Sequence, residues 1–146
     1  MATSMKRWAV KEATASFEPF SLELPWPPSM NSYWRAIPMG KIARNILSKA
    51  GRTYRERAIA AIMESGHHGK GLDGRLGLSL ILCAPDKRRR DLDNFLKPIL
   101  DCLAHGKVYE DDYQVDKLRV ARGPVVSKGI VLVGLRPVGE PVERID

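Results

Sequence analysis

The sequence predicts one small α/β domain, α+β-like in its arrangement, with elements in the order β-α-β-α-β-β. Its 146 residues are the size of a single domain, and 44% of them are hydrophobic, which is enough to form one core. Two segments with apolar residues at helical spacing alternate with segments typical of strands. We expect a folded domain over residues 18–137, preceded by a flexible arm (1–17) and followed by a loose tail (138–146).

The first strand is predicted at FSLELPW, where polar and apolar residues alternate. Three prolines follow in PWPPSMNSYWR, and proline disrupts regular secondary structure, so we interpret this segment as a stiff loop. The loop carries Asn31 and Arg35 as polar candidates. We predict that Trp26, which lies between prolines, packs on the domain, whereas Tyr33 and Trp34 are candidates for either packing or base stacking.

The first helix is predicted in ILSKAGRTYRERAIAAIMESG, with Ser48 as its N-cap and Gly66 at its end. The next strand, RLGLSLILCAP, has apolar residues on both faces, which is typical of a central strand, and Pro85 ends it. Two final strands, VDKLRVAR and GIVLVGLRP, are predicted to form a hairpin through PVVSKG.

The second helix is predicted in NFLKPILDCLAHG. Pro98 has no backbone N–H, so this helix begins only a few residues earlier, with Asp93 or Asn94 near its cap. Gly106 occupies the position of a C-terminal glycine cap.

The charge balance favours an acidic partner. The formal net charge is +7 and the isoelectric point is about 9.6, which points to nucleic acid, although solubility alone is the simpler explanation. Cys83 and Cys102 lie in apolar segments and are expected to be core residues in a reducing compartment. We predict a cytoplasmic protein, since no run is long enough to cross a membrane and the first 20 residues lack a signal-peptide pattern.

An acidic cluster is predicted where the second helix begins. If the chain is extended there, Asp91 and Asp93 share one side and Leu92 points into the core. Lys97 lies one helical turn beyond Asp93, and Asp101 lies one turn further. The sequence therefore permits a group of carboxylates around one lysine.

The loop KVYEDDYQ could complete this group by adding Asp111 and Asp112. Three carboxylates need a cation, which could be an arginine or a divalent metal. Aspartate oxygens suit Mg²⁺, which would activate water and stabilise charge on a phosphodiester. The plainer alternative is a surface acid pair that stabilises a helix N-terminus. Sugar-nucleotide transferases also use D-x-D, but they usually need a larger domain than this chain can form.

Other catalytic constellations have weaker support. The three histidines have no zinc-ligand spacing with the cysteines and are expected to be solvated; they are His67, His68 and His105. The phosphate-binding G-x-x-x-x-G-K-[ST] pattern is not in the sequence.

The chain resembles the RusA family of Holliday-junction resolvases in four blocks, LPWPPSMNSYW, LSKAGRTYR, PDKRRRDLDNFLKPILDCL and YEDDYQVDKLRV. The resemblance runs from about Leu22 to Gly134. It implies a small α/β domain with a mixed β-sheet and a homodimer, of a kind often encoded by phages and prophages. It also implies an Mg²⁺-dependent endodeoxyribonuclease, with Mn²⁺ as an alternative metal, that binds four-way DNA junctions and nicks two opposing strands for recombination and repair.

The resemblance also implies roles for individual residues. The family's catalytic and metal-binding acids fall on Asp91, Asp93 and Asp112, and its essential lysine falls on Lys97. Supporting positions are Asp111, Asn94 and Asn31. The candidate DNA-binding residues are Lys87, Arg88, Arg89, Arg90 and Arg35. Two other functions stay open: a junction-binding or DNA-architectural protein without catalysis, and a broader flap or RNA nuclease that uses the same acids.

Overall fold

The protein is described by a computed structural model over residues 20–138, so the predicted arm (1–17) and the tail beyond Val138 lie outside the described residues. The described chain contains six strands and three α-helices. They are β1 (Leu22–Pro25), α1 (Met30–Tyr33), β2 (Trp34–Met39), β3 (Ile42–Leu47), α2 (Lys49–Ser65), β4 (Leu76–Cys83), α3 (Leu96–His105), β5 (Val115–Arg122) and β6 (Ile130–Pro137). Short 3-10 helices at Leu92–Phe95 and Asp112–Gln114 precede α3 and β5. The predicted α/β domain with a mixed sheet is confirmed.

The main sheet has the strand order β1-β6-β4-β5. β4 is buried along its whole length, pairing parallel with β5 and antiparallel with β6. Its residues Leu76, Leu78, Leu80 and Leu82 face the larger core, against which α2 and α3 pack. Ile81 and Cys83 face a smaller cluster on the opposite side of the sheet. The prediction of a central strand is therefore confirmed.

The predicted hairpin between the last two strands is wrong, because β4 lies between β5 and β6. The connection after β5 crosses the end of β4 instead of turning back. Gly123 and Val126 donate backbone hydrogen bonds to the carbonyls of Leu82 and Ala84, at 2.9 Å each. Val126 is buried against the smaller cluster. A strand that is apolar on both faces gains from neighbours on both edges, and this outweighs the local tendency to form a hairpin.

The ends of α2 agree with the prediction. The Ser48 hydroxyl accepts a hydrogen bond from the Gly51 N–H at 2.9 Å, which is a standard N-cap contact. Gly66 follows the last turn with φ +82°, a conformation that glycine adopts at little cost.

The predicted N-cap of α3 is wrong, whereas Gly106 does occupy the predicted C-cap position. α3 begins at Leu96 after a 3-10 turn that contains Asp93 and Asn94, and neither residue caps it. Pro98 lies at the third helical position, where the backbone N–H would be unpaired in any case. Gly106 has φ −77°, so it is no left-handed cap; a Cβ there would lie 2.8 Å from Ile62 Cδ1. The glycine allows α3 to approach α2 closely.

The segment after β1 contains more structure than the sequence predicted. The stretch 26–29 is irregular, as its prolines require, but it leads into the helical turn α1 and then a hairpin of β2 and β3. At the base of this hairpin, Trp34 and Leu47 pack against the larger core. Pro38 lies within β2, a position that an edge strand tolerates.

Aromatic contacts test the packing role predicted for Trp26 and the choice between packing and base stacking for Tyr33 and Trp34. The Trp26 ring lies 5.0 Å from the Phe95 ring, so its predicted packing role is confirmed. Tyr33 is fully buried, and Trp34 meets it edge-to-face with ring centroids 5.0 Å apart. These contacts favour packing over base stacking for both residues.

Both cysteines are buried and free, as predicted for core residues. Burial raises the pKa of the Cys83 and Cys102 thiols to about 11, which keeps them protonated near neutral pH. Within residues 20–138, no helix combines the length and apolar character needed to cross a membrane.

Candidate active site

The loop between β4 and the first 3-10 helix is organised around Arg90. The Arg90 guanidinium donates hydrogen bonds to Asp86 Oδ1 at 2.7 Å and to the Arg88 carbonyl at 3.3 Å, and it lies over the Trp26 ring at 5.8 Å. The hydrogen bond from Arg90 holds the pKa of Asp86 below its ordinary value. The Arg122 side chain donates to the Arg90 carbonyl at 2.9 Å.

Arg90 therefore acts mainly inside the protein, with only 15% of its side chain exposed. This differs from the uniform basic run predicted for DNA contact. The residues before it point outward: Lys87 and Arg89 are exposed, and the Arg88 side chain is 83% exposed. The run thus contains one structural arginine and three basic side chains that face solvent.

An open cleft of about 450 Å³ lies beside this loop. It is lined by Ser29, Arg89, Arg90, Asp91, Asn94 and Phe95. Ser29 stands at the N-terminus of α1, so the cleft lies between the proline-rich segment and the start of the first 3-10 helix. A carboxylate, an amide and two guanidinium groups thus border one space that is open to solvent.

The extended segment that would have placed Asp91 and Asp93 on one side of the chain is not present. Asp91 is extended, with φ −89° and ψ 132°, but the chain turns into the 3-10 helix at Leu92. Leu92 packs against the larger core, as predicted. Asp93 lies in the first turn of the 3-10 helix, and both aspartates are exposed. The Asp91 carboxylate makes no capping hydrogen bond, so its oxygens remain available at the cleft.

Lys97 and Asp112 are brought together although 15 positions separate them. Lys97 Nζ lies 3.2 Å from Asp112 Oδ2, and the Tyr109 hydroxyl donates to Asp112 Oδ1 at 3.0 Å. Tyr109 Oη also lies within hydrogen-bond distance, 3.2 Å, of the Leu100 carbonyl. The loop after α3 therefore folds back along the helix and returns Asp112 to its first turn. Burial and the neighbouring Asp112 raise the pKa of Tyr109 above its ordinary value.

Gln114 anchors this returning loop. Its amide nitrogen donates to the carbonyls of Leu72 and Gly74, at 2.9 Å each, and its amide oxygen accepts from the backbone N–H groups of Glu110 and Asp111. Gln114 is a buried polar residue whose hydrogen bonds fix the loop to a neighbouring segment.

Tyr109 and Gln114 are functional-site residues that the sequence interpretation missed. The available signal was their position two residues before and two residues after the consecutive aspartates. An aromatic hydroxyl or a side-chain amide beside an acidic pair is a candidate to orient it.

The two consecutive aspartates have different environments. Asp111 caps the second 3-10 helix: its Oδ1 accepts a hydrogen bond from the Tyr113 N–H at 3.1 Å, in a capping box with Gln114. Asp112 instead contacts Lys97 and Tyr109. These contacts favour Asp112 as the acid that belongs with Lys97, and they assign Asp111 a local structural role.

Asp101 belongs to a separate network. Its carboxylate accepts hydrogen bonds from the Tyr33 hydroxyl and from Arg55 Nη2, the latter at 2.7 Å. Burial acts to lower the pKa of Arg55, but the hydrogen bonds to Asp101 and Tyr33 outweigh it and raise that pKa. The network joins α1, α2 and α3. The sequence had permitted Asp101 to lie among the acids around Lys97, and the structure places it with Tyr33 and Arg55 instead.

The remaining predicted residues lie at the surface. Asn31 is exposed on α1 and Arg35 is exposed on β2. The histidines lie in the turn after α2 and at the end of α3, as expected for solvated positions.

The predicted Mg²⁺ site can be tested against these side chains. Within residues 20–138, no group of three His, Cys, Asp or Glu side chains is close enough to hold a metal ion unaided. Mg²⁺ does not require such a group, because it usually keeps several waters and takes one or two carboxylates plus substrate phosphate. The exposed Asp91 carboxylate at an open cleft fits that pattern, with Asp93 two positions away as the next oxygen donor. The three-aspartate ligand set stays a prediction.

Comparison with known proteins identifies the family. A family model described as "Endodeoxyribonuclease RusA" matches residues 25–132. The protein named crossover junction endodeoxyribonuclease rusA of Enterobacteria phage HK97 is 39% identical over 110 residues, which cover 75% of this chain and 88% of the relative. The protein of the same name from Escherichia coli strain K12 is 34% identical over 120 residues, which cover 82% and 96% of the two chains. The chain therefore belongs to the RusA family of endodeoxyribonucleases.

Proposed function

We propose that this chain is an Mg²⁺-dependent endodeoxyribonuclease that resolves four-way DNA junctions by nicking two opposing strands. The observation that carries the proposal is the Asp91 cleft, where an exposed carboxylate stands beside Arg89 and Asn94. The solvent-facing Lys87, Arg88 and Arg89 shortly precede it in the chain. The names of the family's curated members, which describe crossover junction endodeoxyribonucleases, support the choice of substrate. A DNA substrate and two free cysteines agree with a role in the cytoplasm.

The chemistry follows from the charges around the cleft. Asp91 and Asp93 would hold the metal ion, with Asp112 as the third predicted ligand. When bound, Mg²⁺ supplies Lewis acidity and lowers the pKa of coordinated water. Arg89 and the exposed Lys87 and Arg88 would contact phosphates on either side of the scissile bond, which orients the strand.

Lys97 would place a positive charge where negative charge develops on the phosphate. Lys97 Nζ lies 3.2 Å from Asp112 Oδ2. The Tyr109 hydroxyl donates a hydrogen bond to Oδ1 of the same carboxylate and so orients it. About half of the Lys97 side chain is exposed, so the ammonium group is accessible to a strand lying in front of α3.

A symmetric dimer would suit this substrate. A four-way junction presents two equivalent strands, and two identical active sites related by a two-fold axis can nick both. Sedimentation at micromolar concentration should then show a dimer.

The decisive test is cleavage of a synthetic four-way junction by the full chain, with and without Mg²⁺. We expect paired nicks on opposing strands that depend on Mg²⁺ and are much weaker on matched linear duplex, flap and RNA substrates. Because Lys and Arg contacts release counterions, affinity for the junction should fall steeply with salt, by about 0.9 in log–log slope for each phosphate neutralised.

Each alternative outcome of this assay would indicate a different function or assembly of the protein. Tight junction binding without cleavage in Mg²⁺ or Mn²⁺ would indicate a DNA-architectural protein and would refute the nuclease proposal. Cleavage of flap or RNA substrates at the same rate as the junction would contradict junction selectivity and indicate a broader nuclease. A protein that sediments only as a monomer while nicking one strand at a time would contradict the symmetric arrangement.

The neighbouring acids should respond differently to mutation. We expect Asp112→Asn to lower junction nicking by about 100-fold or more, since it removes the negative charge that faces Lys97, at a cost in stability below about 1 kcal/mol. Asp111→Ala should lower the free energy of unfolding by about 1 kcal/mol through loss of the cap, while nicking falls less than about fivefold. Nicking rates and urea unfolding of the two variants provide the check. Equal loss of nicking in both would contradict the assignment of Asp112 over Asp111.

A further inference from the structure

The hairpin of β2 and β3 forms a sheet of its own, separate from the four-stranded sheet. Its strands pair from Trp34↔Leu47 at the base to Met39↔Ile42 at the tip, and Gly40 and Lys41 make the turn. Six residues per strand at roughly 3.3 Å each give a ribbon about 20 Å long. A Cβ on Gly40 would meet no atom within 4 Å, so the tip stands in open solvent.

The tip of this ribbon is apolar. Met39 is 54% exposed and Ile42 is 75% exposed, and they are cross-strand partners at the end of the ladder. Each belongs to the few large hydrophobic side chains that the described residues leave in water. This pair of exposed apolar side chains at a protruding turn adds nothing to the core and is free to contact another molecule.

The same face of the ribbon also carries two arginines, each paired across the strands with a half-buried isoleucine, Ile46 or Ile37. Side chains alternate along a strand, and directly opposed residues share a face, so Arg35 and Arg44 lie on the side that carries Met39 and Ile42. Lys41 occupies the turn itself. Both arginines and this lysine are exposed. The ribbon therefore presents two arginines behind an apolar tip.

The charge of this region is unusually one-sided. Between Glu23 and Glu56 the chain has no acidic residue and six basic ones: Arg35, Lys41, Arg44, Lys49, Arg52 and Arg55. The whole chain carries a net charge of only +7, so this stretch contributes much of the excess even though Asp101 offsets the charge of Arg55. A second copy of this surface would repel it, whereas a phosphate backbone would attract it.

We propose that the β2–β3 ribbon is a DNA-distorting arm, which grips phosphates through Arg35 and Arg44 and inserts Met39 and Ile42 between bases at the branch point. Methionine and isoleucine are among the side chains that proteins use as wedges to unstack base steps. Bases at a branch point have an incomplete stack, so unstacking costs least there. The inference rests on the proposed function, since it names how this chain would engage and open a junction.

The test measures base unstacking with the full chain and a four-way junction that carries 2-aminopurine beside the branch point. Its fluorescence rises when the base leaves the stack, and the measurement is made in EDTA to prevent cleavage. We expect the unmodified chain to raise the signal about threefold and the variant Met39→Ser/Ile42→Ser to lose most of that rise, while junction affinity falls less than about tenfold.

Two further variants separate the parts of the arm. Met63→Ser/Val125→Ser removes exposed apolar side chains of similar exposure, 57% and 44%, from outside the hairpin and should keep the full fluorescence rise. Arg35→Ala/Arg44→Ala should weaken binding and reduce the log–log salt slope by about 1.8, which corresponds to two phosphate contacts. All these side chains are exposed, so thermal unfolding should be nearly unchanged.

The outcomes separate this inference from the proposed nuclease function. A full fluorescence rise with the tip variant, or none with the unmodified chain, overturns the wedge even if Mg²⁺-dependent nicking is intact. Loss of a dimer in the tip variant would instead assign the tip to a subunit contact and also overturns the wedge. If nicking is absent but the tip-dependent rise persists, the nuclease proposal fails while the arm stands.

Discussion

Asp91→Asn should abolish Mg²⁺-dependent nicking of a four-way junction while leaving junction binding intact. The substitution keeps the shape of the side chain and removes the charge that a metal ion needs at the cleft. Because a metal ion contributes several kcal/mol to stabilising the transition state, the nicking rate should fall about 10³-fold or more. Single-turnover nicking rates and a binding titration in EDTA measure the two effects separately.

The fold should not respond to this change. Asp91 is exposed and its carboxylate makes no capping hydrogen bond, so urea unfolding should match that of the unmodified chain within about 0.5 kcal/mol. Asp73→Asn is the matched control, since it makes the same chemical change at an exposed position outside the cleft. Full nicking by Asp91→Asn would remove Asp91 from the active site, and loss of binding would show that the residue serves DNA recognition instead.

The parts of the fold that the sequence predicted correctly are those with a strong local or compositional signal. The continuous apolar run of β4 identified a central strand, and Ser48 and Gly66 marked the ends of α2 through their capping chemistry. The placement of β5 and β6 depends instead on which strand edges compete for β4. That competition involves residues far apart in the chain. The short connection of turn residues between β5 and β6 therefore suggested a hairpin that does not form.

In the candidate site, too, features with a strong sequence signal were predicted, and features that depend on non-local contacts were not. The pattern of acids and Lys97 was visible because both the spacing and the family blocks marked it. The inward direction of Arg90 was not visible, since its partners are a backbone carbonyl, Asp86 and the Trp26 ring. The spacing of the residues alone did not separate Asp111 from Asp112, and only the family resemblance favoured Asp112. The physical difference depends on which of the two meets Lys97 after the loop folds back.

Asp101→Ala should cause a large loss of stability, because it leaves two partly buried donors without their acceptor. Arg55 Nη2 and the Tyr33 hydroxyl both donate to this carboxylate, and the side chains of Arg55 and Asp101 are 24% and 22% exposed. Removing one partner of a buried ion pair costs about 3–5 kcal/mol, and the partial exposure lowers our expectation to about 2 kcal/mol. Urea unfolding at neutral pH measures the loss.

A double variant distinguishes the ion pair from simple loss of contacts. Arg55 Nε is already buried without a hydrogen-bond partner, so the arginine is costly to keep once Asp101 is gone. Replacing both members by apolar residues of similar size, Arg55→Met/Asp101→Leu, should therefore recover most of the stability that Asp101→Ala loses. If the double variant is as unstable as the sum of its single changes, the two residues are not coupled and this explanation fails.

The same network should affect nicking, since it ties the helix that carries Lys97 to α1 and α2. Asp101 lies one helical turn beyond Lys97, and Tyr33 is the last residue of α1, whose N-cap residue Ser29 borders the cleft. A displacement of about 1 Å can cost up to about 100-fold in rate, so we expect Asp101→Ala to slow nicking about tenfold well below its unfolding temperature. The double variant should regain stability without regaining this rate, because apolar contacts do not fix direction as hydrogen bonds do. Recovery of both together would mean that Asp101 affects nicking only through overall stability.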